Sequence, residues 1–96
     1  MARLTAEEVV EAFMNQRPAN GGIITTDGQS LFSFNTRIAE HIPRNGGAST
    51  VVYNYTYNGN AYKSPATSSH VGLVKQRVPY RNVIPVTKAK EAGLVP

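Results

Sequence analysis

Hydrophobic positions near the start of the chain recur at helical spacing. Val9 and Phe13 are four residues apart and therefore share one helix face. Thr5 and Glu8 form a T-x-x-E capping box, in which each side chain accepts a hydrogen bond from the other residue's backbone amide. The proline and paired glycines that follow are typical of a helix end. The pattern predicts a helix over residues 5–16.

From residue 22 the pattern changes to short apolar runs separated by turn signals. Asp27-Gly28 is a two-residue hairpin sequence, because both central residues of such a turn need positive φ. A turn at this position pairs Ile24 with Leu31. In the second strand Phe32 and Phe34 alternate with smaller residues, so the sequence predicts that the phenylalanine face is the core face.

The stretch VVYNYTYNGNAY is the most aromatic part of the chain. Asn58-Gly59 predicts a second hairpin, and a two-residue loop would place four tyrosines on one face. A three-residue loop would move Tyr62 to the other face. Because the alternative face offers few apolar residues, we expect Tyr53 and Tyr55 to be core, and Tyr57 and Tyr62 to be exposed.

The rest of the chain mixes helix signals with prolines. The sequence TSSH offers N-caps for one short helix or two turns, which Pro79 ends. NVIPV predicts a short edge strand, and Thr87 is placed to cap a last helical turn. The fold class is therefore α+β: an N-terminal helix, a small antiparallel sheet of two hairpins and a short helix after the second hairpin. The predicted core comprises Val9, Phe13, Ile24, Phe32, Phe34, Ile38, Val52, Tyr55, Val71 and Val74.

The length of 96 residues predicts a single domain over residues 1–96, with a β-rich region at 22–64 and a basic C-terminal segment at 70–96. The chain has no cysteine, which excludes disulfides and thiolate metal sites. No stretch has the residue pattern of a signal peptide or the apolar length of a membrane span. A cytoplasmic location and no membrane partner are therefore expected. The net charge of +4 is uneven: residues 1–30 sum to −2 and residues 31–96 to +6.

The sequence offers little for catalysis. Ser69 and His70 are adjacent, yet neighbouring side chains on a helix do not face each other, and no G-x-S-x-G elbow is present. The histidines and carboxylates have no metal-ligand spacing, and the glycine pairs match no nucleotide-binding loop. The sequence therefore predicts no enzyme, no cofactor and no metal, and a hydrolase centred on His70 stands only as a third hypothesis.

Basic and tyrosine residues in the second half of the chain are the candidate binding residues. Tyrosine faces can stack bases, and nearby lysines and arginines can hold phosphates, although both are also ordinary features of a core and a solvated surface. The candidate set is Tyr57, Tyr62, Lys63, Lys75, Arg77 and Arg81.

Two short segments resemble a small domain of unknown function found in phage, prophage and archaeal proteins. The segment LFSFNTRIA matches its S-[YF]-x-T-x-I-A strand, and AYKSPATSSH matches its Y-S-x-T-T-S-x-H segment, although Lys63 intervenes and Ala66 replaces the first threonine. The likeness covers residues 31–70 and implies a mobile-element origin and a small β-rich domain. It implies no activity.

Two functional hypotheses follow. The first is a small phage-type, non-enzymatic protein that binds a host protein in the host cytoplasm. The alternative is a nucleic-acid-binding accessory protein that uses the basic and tyrosine residues. Self-association is a further expectation to test, because an exposed hairpin edge can pair with a second copy.

Overall fold

A computed structural model describes residues 4–44, 47–55, 65–79 and 82–93. Three helices and six strands lie in these ranges. In chain order they are α1 (Ala6–Met14), β1 (Pro18–Asn20), β2 (Ile24–Asp27), β3 (Ser30–Ser33), β4 (Thr36–Arg44), β5 (Gly47–Asn54), α2 (Pro65–Lys75), β6 (Val83–Pro85) and α3 (Val86–Glu91). The α+β class is confirmed.

The strands form one sheet in the order β1-β2-β3-β4-β5-β6. Neighbours from β1 to β5 run antiparallel, and β6 pairs with β5 in parallel as a short edge strand. The helix α2 lies between β5 and β6 in the chain, as the connection between parallel strands requires. The hairpin predicted at Asn58-Gly59 lies outside the described residues.

The first helix begins as its sequence predicts. The amide of Glu8 donates to Thr5 Oγ1 at 3.2 Å, and the amide of Thr5 donates to Glu8 Oε1 at 2.9 Å, which confirms the capping box. The helix buries Val9, Val10 and Phe13. It ends at Met14, two residues before the predicted end.

The predicted phenylalanine core face is wrong. Leu31 is fully buried, whereas Phe32 is only partly buried and 52% of Phe34 is exposed. The turn uses Gly28-Gln29 rather than Asp27-Gly28, so Ile24 pairs with Ser33 and not with Leu31. The Leu31 face is the one covered by helices.

Local hydrogen bonds explain the position of that turn. Asp27 Oδ1 accepts from the amides of Gln29 and Ser30 at 2.9 and 2.8 Å, and Thr26 Oγ1 accepts from the amide of Gly28 at 3.0 Å. Asp27 is thus the residue before the loop, not its first member. Aspartate commonly holds a turn in this way.

The start of α2 also differs from the prediction. Thr67, Ser68 and Ser69 lie inside the helix rather than capping it, because the helix already begins at Pro65. Proline suits the first helical position, where its missing amide proton has no helical partner. In α3 the residue before the helix is Pro85, so Thr87 is not the cap.

The core lies between the sheet and its helices. Every residue predicted for it, apart from Phe32 and Phe34, is buried. Val52 and Tyr53 are both fully buried, and consecutive strand residues point to opposite faces, so β5 is covered on both faces. The burial of Tyr53 and Tyr55 confirms that the middle tyrosines belong to the core.

Candidate functional site: the tip of the β3–β4 hairpin

The structure places two of the predicted binding residues, and it does not bring them to an open basic surface. Arg77 lies just after α2, where its Nη1 is 2.5 Å from Glu11 Oε2 on α1. Arg77 lowers the pKa of the Glu11 carboxyl through this hydrogen bond and ion pair. Lys75 is partly buried at the end of α2. Tyr57, Tyr62, Lys63 and Arg81 lie outside the described residues.

Charges on the described side chains balance. The basic members are Arg17, Arg37, Lys75, Arg77, Lys88 and Lys90, and the acidic members are Glu7, Glu8, Glu11, Asp27, Glu40 and Glu91. The net charge of +4 therefore comes from the side chains of Arg3, Arg44, Lys63 and Arg81, which the structure does not describe. The described side chains therefore carry no net charge.

His70 is paired with a serine, but the partner is Ser33 rather than its neighbour Ser69. The Ser33 hydroxyl lies 2.7 Å from His70 Nδ1 and 3.2 Å from Thr67 Oγ1. Ser33 is fully buried, and Thr67 and His70 are nearly so. A nucleophile must reach its substrate, and Ser33 is closed off from solvent. The three side chains form a buried polar contact that joins β3 to α2, which we call the Ser33–His70 contact.

Acidification below neutral pH is expected to weaken folding through His70. Burial lowers the pKa of His70 in the folded state relative to its ordinary value near 6.5. The folded protein therefore holds the neutral imidazole, and its stabilising contribution is complete above the unfolded pKa. That contribution is lost as the pH falls from about 6.5 through the lower folded pKa. Urea unfolding at pH 7.5 and pH 5.5 measures the effect.

The control for this experiment is His70→Asn, which keeps a polar side chain but cannot titrate. Its stability should change less between the two pH values than that of the wild type. An equal change in both proteins would contradict the assignment to His70.

A second polar cluster lies on the other face of the sheet. The Tyr53 hydroxyl donates to Glu40 Oε1 at 2.5 Å, and Arg37 Nη1 lies 3.4 Å from Glu40 Oε2. Burial, followed by the hydrogen bond to Glu40, raises the pKa of Tyr53. The guanidinium of Arg37 also lies over the Phe32 ring, 5.9 Å from its centre. Such a tyrosine stays protonated, and its hydrogen bond to Glu40 joins β5 to β4.

The hairpin that connects β3 to β4 ends in an exposed aromatic residue. Ser33 pairs with Thr36, so Phe34 and Asn35 form the two-residue loop. Their φ values are 51° and 67°, in the left-handed region. Asparagine tolerates this conformation well, whereas a bulky phenylalanine rarely adopts it.

Ile23 extends the apolar surface at the same end of the sheet. The amide of Phe34 donates to the carbonyl oxygen of Ile23 at 2.9 Å. Ile23 is 47% exposed and Phe34 is 52% exposed. We call these two residues the apolar tip. Sequence reasoning missed it because the alternation of Phe32 and Phe34 predicts that Phe34 lies in a strand and faces the core, although Asn35 is a usual turn residue and was the available signal.

The described residues offer neither a metal-binding group nor a membrane-spanning helix. No group of three or more histidine, aspartate or glutamate side chains there could hold a metal ion. Within the same ranges, no helix combines the length and the apolar composition needed to cross a bilayer.

The chain matches no family model, no curated protein and no solved structure. The resemblance to the small phage-type domain therefore stays a prediction.

Proposed function

We propose that this chain is a small, non-enzymatic binding domain that recognises a partner protein through the apolar tip. The partner would be a host protein if the phage-type resemblance holds. The observation that carries the proposal is Phe34, a large apolar side chain held in a left-handed backbone conformation and half exposed to water.

The backbone of Phe34 costs the folded chain free energy, and the exposed part of its ring does not offset that cost. A left-handed conformation of a residue other than glycine costs about 1–3 kcal/mol. The exposed half of the ring gains nothing from burial in the isolated domain. Asparagine or glycine would build the same turn with less strain, and strained positions of this kind cluster at functional sites. Burial of the ring in a partner would supply the missing gain, since aromatic residues dominate binding energies at interfaces.

The shape of the tip favours a different protein over a second copy. A two-residue turn at the end of a hairpin presents a convex surface, and two convex tips do not complement each other. The matching partner is a protein with a concave apolar pocket that surrounds the phenylalanine ring.

Two of the described cations are already paired with carboxylates. Arg77 is engaged by Glu11, and Arg37 is engaged by Glu40. Nucleic-acid affinity depends on unpaired cations that displace counterions from phosphates. The excess positive charge belongs to side chains that the structure does not describe, so the choice of protein binding depends on the apolar tip.

The substitution Phe34→Asn is expected to abolish partner capture. It removes the anchoring ring and keeps a residue that suits the turn, so the fold should survive. Loss of one anchoring aromatic typically costs 2 kcal/mol or more, which is about a 30-fold loss of affinity. The measurement is affinity capture from nuclease-treated host lysate with the wild type, Phe34→Asn and Phe34→Tyr, quantified by mass spectrometry.

The tyrosine variant is the matched control, because it keeps an aromatic ring on the same strained backbone. A protein captured by the wild type and Phe34→Tyr, and depleted at least tenfold with Phe34→Asn, would support the proposal. Equal capture by all three proteins would contradict it. So would capture that disappears on nuclease treatment, or a Phe34-dependent interaction with only a second copy of the chain.

A further inference from the structure

The turn between β1 and β2 begins with an asparagine followed by a glycine. Asn20 ends β1, Gly21 comes next, and the side chain of Asn20 is exposed to water. In such a dipeptide the backbone nitrogen of the glycine can attack the side-chain carbonyl carbon of the asparagine, because glycine has no Cβ atom to hinder the approach. This reaction is deamidation, and water is its only co-reactant. The turn is therefore a candidate site of covalent modification.

Deamidation proceeds in two steps. The Gly21 nitrogen loses its proton and forms a bond to Cγ of Asn20, while the bond from Cγ to the side-chain nitrogen breaks and ammonia leaves. The resulting succinimide ring then takes up one water molecule, which opens it to aspartate or isoaspartate. No oxidation or reduction takes place. Both products carry a carboxylate in place of the neutral amide.

Packing against α1 requires the glycine of this dipeptide. A Cβ atom on Gly21 would lie 2.9 Å from Val9 Cγ2 and 3.1 Å from the carbonyl oxygens of Leu4 and Ile24. Real Cβ atoms do not make contacts as short as the first of these, and Val9 is fully buried and cannot move aside freely. A larger residue would therefore separate the turn from the helix.

Hydrogen bonds engage both of the reacting groups. The amide of Gly21 donates to the carbonyl oxygen of Ile24 at 2.9 Å, and the amide of Gly22 donates to Asn20 Oδ1 at 2.9 Å. An amide that donates a hydrogen bond gives up its proton less readily, because the bond stabilises the protonated form. The succinimide nitrogen has no hydrogen, so ring formation also breaks the bond to Ile24. The contacts that build the turn therefore oppose the reaction.

We propose that Asn20–Gly21 is a latent deamidation site, which the folded protein keeps unreactive and which reacts when the turn separates from α1. Isoaspartate would insert one extra backbone atom before Gly21 and displace this glycine from its place against Val9. A molecule that reacts while it is open would then be less stable after it closes, so a transient opening leaves a permanent change. The inference does not depend on the apolar tip.

Peptide mapping of the full chain by mass spectrometry tests the proposal. The chain is incubated at mildly alkaline pH, either folded or unfolded in concentrated guanidinium chloride, and the rate of amide loss at Asn20 is measured in both. Mapping separates this site from the Asn-Gly pairs at 45–46 and 58–59. A synthetic peptide of residues 17–24, with and without guanidinium chloride, corrects for any effect of the denaturant on the chemistry.

Two valine variants test the role of the contact with α1. Val9→Ala removes the methyl groups that pack against Gly21. Val10→Ala is the matched control, because Val10 is also buried on α1 but lines a cleft with Leu73 of α2. Both variants lose the same side-chain volume from the same helix.

The expected rate at Asn20 is at least tenfold lower in the folded chain than in the unfolded chain, since opening must precede the reaction. Val9→Ala should accelerate the reaction more than Val10→Ala does. The isoaspartate form, isolated by chromatography, should unfold at a lower urea concentration than the unmodified chain. The proposal would be overturned by no reaction at Asn20 in the unfolded chain, by equal rates in the two states, by equal acceleration in the two variants or by an isoaspartate form of unchanged stability.

Discussion

Phe13→Ala is expected to lower the free energy of unfolding by about 3–5 kcal/mol. Phe13 is fully buried, and its ring stacks on the His41 ring with centres 4.2 Å apart. Truncation loses the transfer free energy of the ring and leaves a cavity beneath the imidazole. A chain of this length has roughly 5–14 kcal/mol of stability in total, so the variant should approach the limit of folding. Urea unfolding followed by circular dichroism measures the loss.

Phe13→Leu is the control for this prediction. Leucine fills most of the volume but cannot stack on the imidazole, so a loss of about 1 kcal/mol is expected. A loss below about 1 kcal/mol in Phe13→Ala would contradict the packing of α1 against β4 through His41.

Ser33→Ala is expected to lower the free energy of unfolding by about 1–3 kcal/mol. The Ser33 hydroxyl contacts both His70 Nδ1 and Thr67 Oγ1 in the Ser33–His70 contact. The variant would leave the imidazole nitrogen without this partner in a buried environment, where water cannot replace it. Thermal or urea unfolding gives the difference directly.

Ser69→Ala is the matched control, since Ser69 is exposed on the same helix as His70. Its effect should stay within about 0.5 kcal/mol of the wild type. Equal losses in the two variants would show that the Ser33–His70 contact contributes nothing specific.

Local signals in the sequence predicted the parts of the fold that depend on local chemistry. The capping box at Thr5 and Glu8 acts within one helical turn, and its hydrogen bonds are present as predicted. The tyrosine face of β5 is predicted to be core, and Tyr53 and Tyr55 are buried, although Val52 on the opposite face is buried as well. These predictions needed no information about distant parts of the chain.

The errors arose where tertiary structure or side-chain capping overrode the pattern. Asp27 precedes the loop and accepts hydrogen bonds from the amides of Gln29 and Ser30, so the loop begins one residue later than predicted. Ile24 therefore pairs with Ser33, two residues beyond the predicted partner. The helices then cover the Leu31 face, and no residue in the hairpin itself signals which face they choose. The Ser33–His70 contact joins residues 37 positions apart, so spacing along the chain could not reveal it.

The candidate site was missed for a related reason. A phenylalanine at the first position of a two-residue turn contradicts the usual turn chemistry, so the sequence predicts that Phe34 belongs to the strand. Departures of a sequence from local rules are expected at functional sites. This departure at Phe34 is the feature on which the proposed function depends.

The unfolding free energy of Phe34→Asn, compared with that of the wild type by urea titration, tests this account most directly. If Phe34 is kept for binding at the expense of folding, the asparagine variant should be more stable by about 1 kcal/mol, because it relieves the left-handed strain. A variant less stable than the wild type would show that the ring stabilises the isolated domain, and it would contradict the proposal that the apolar tip serves a partner.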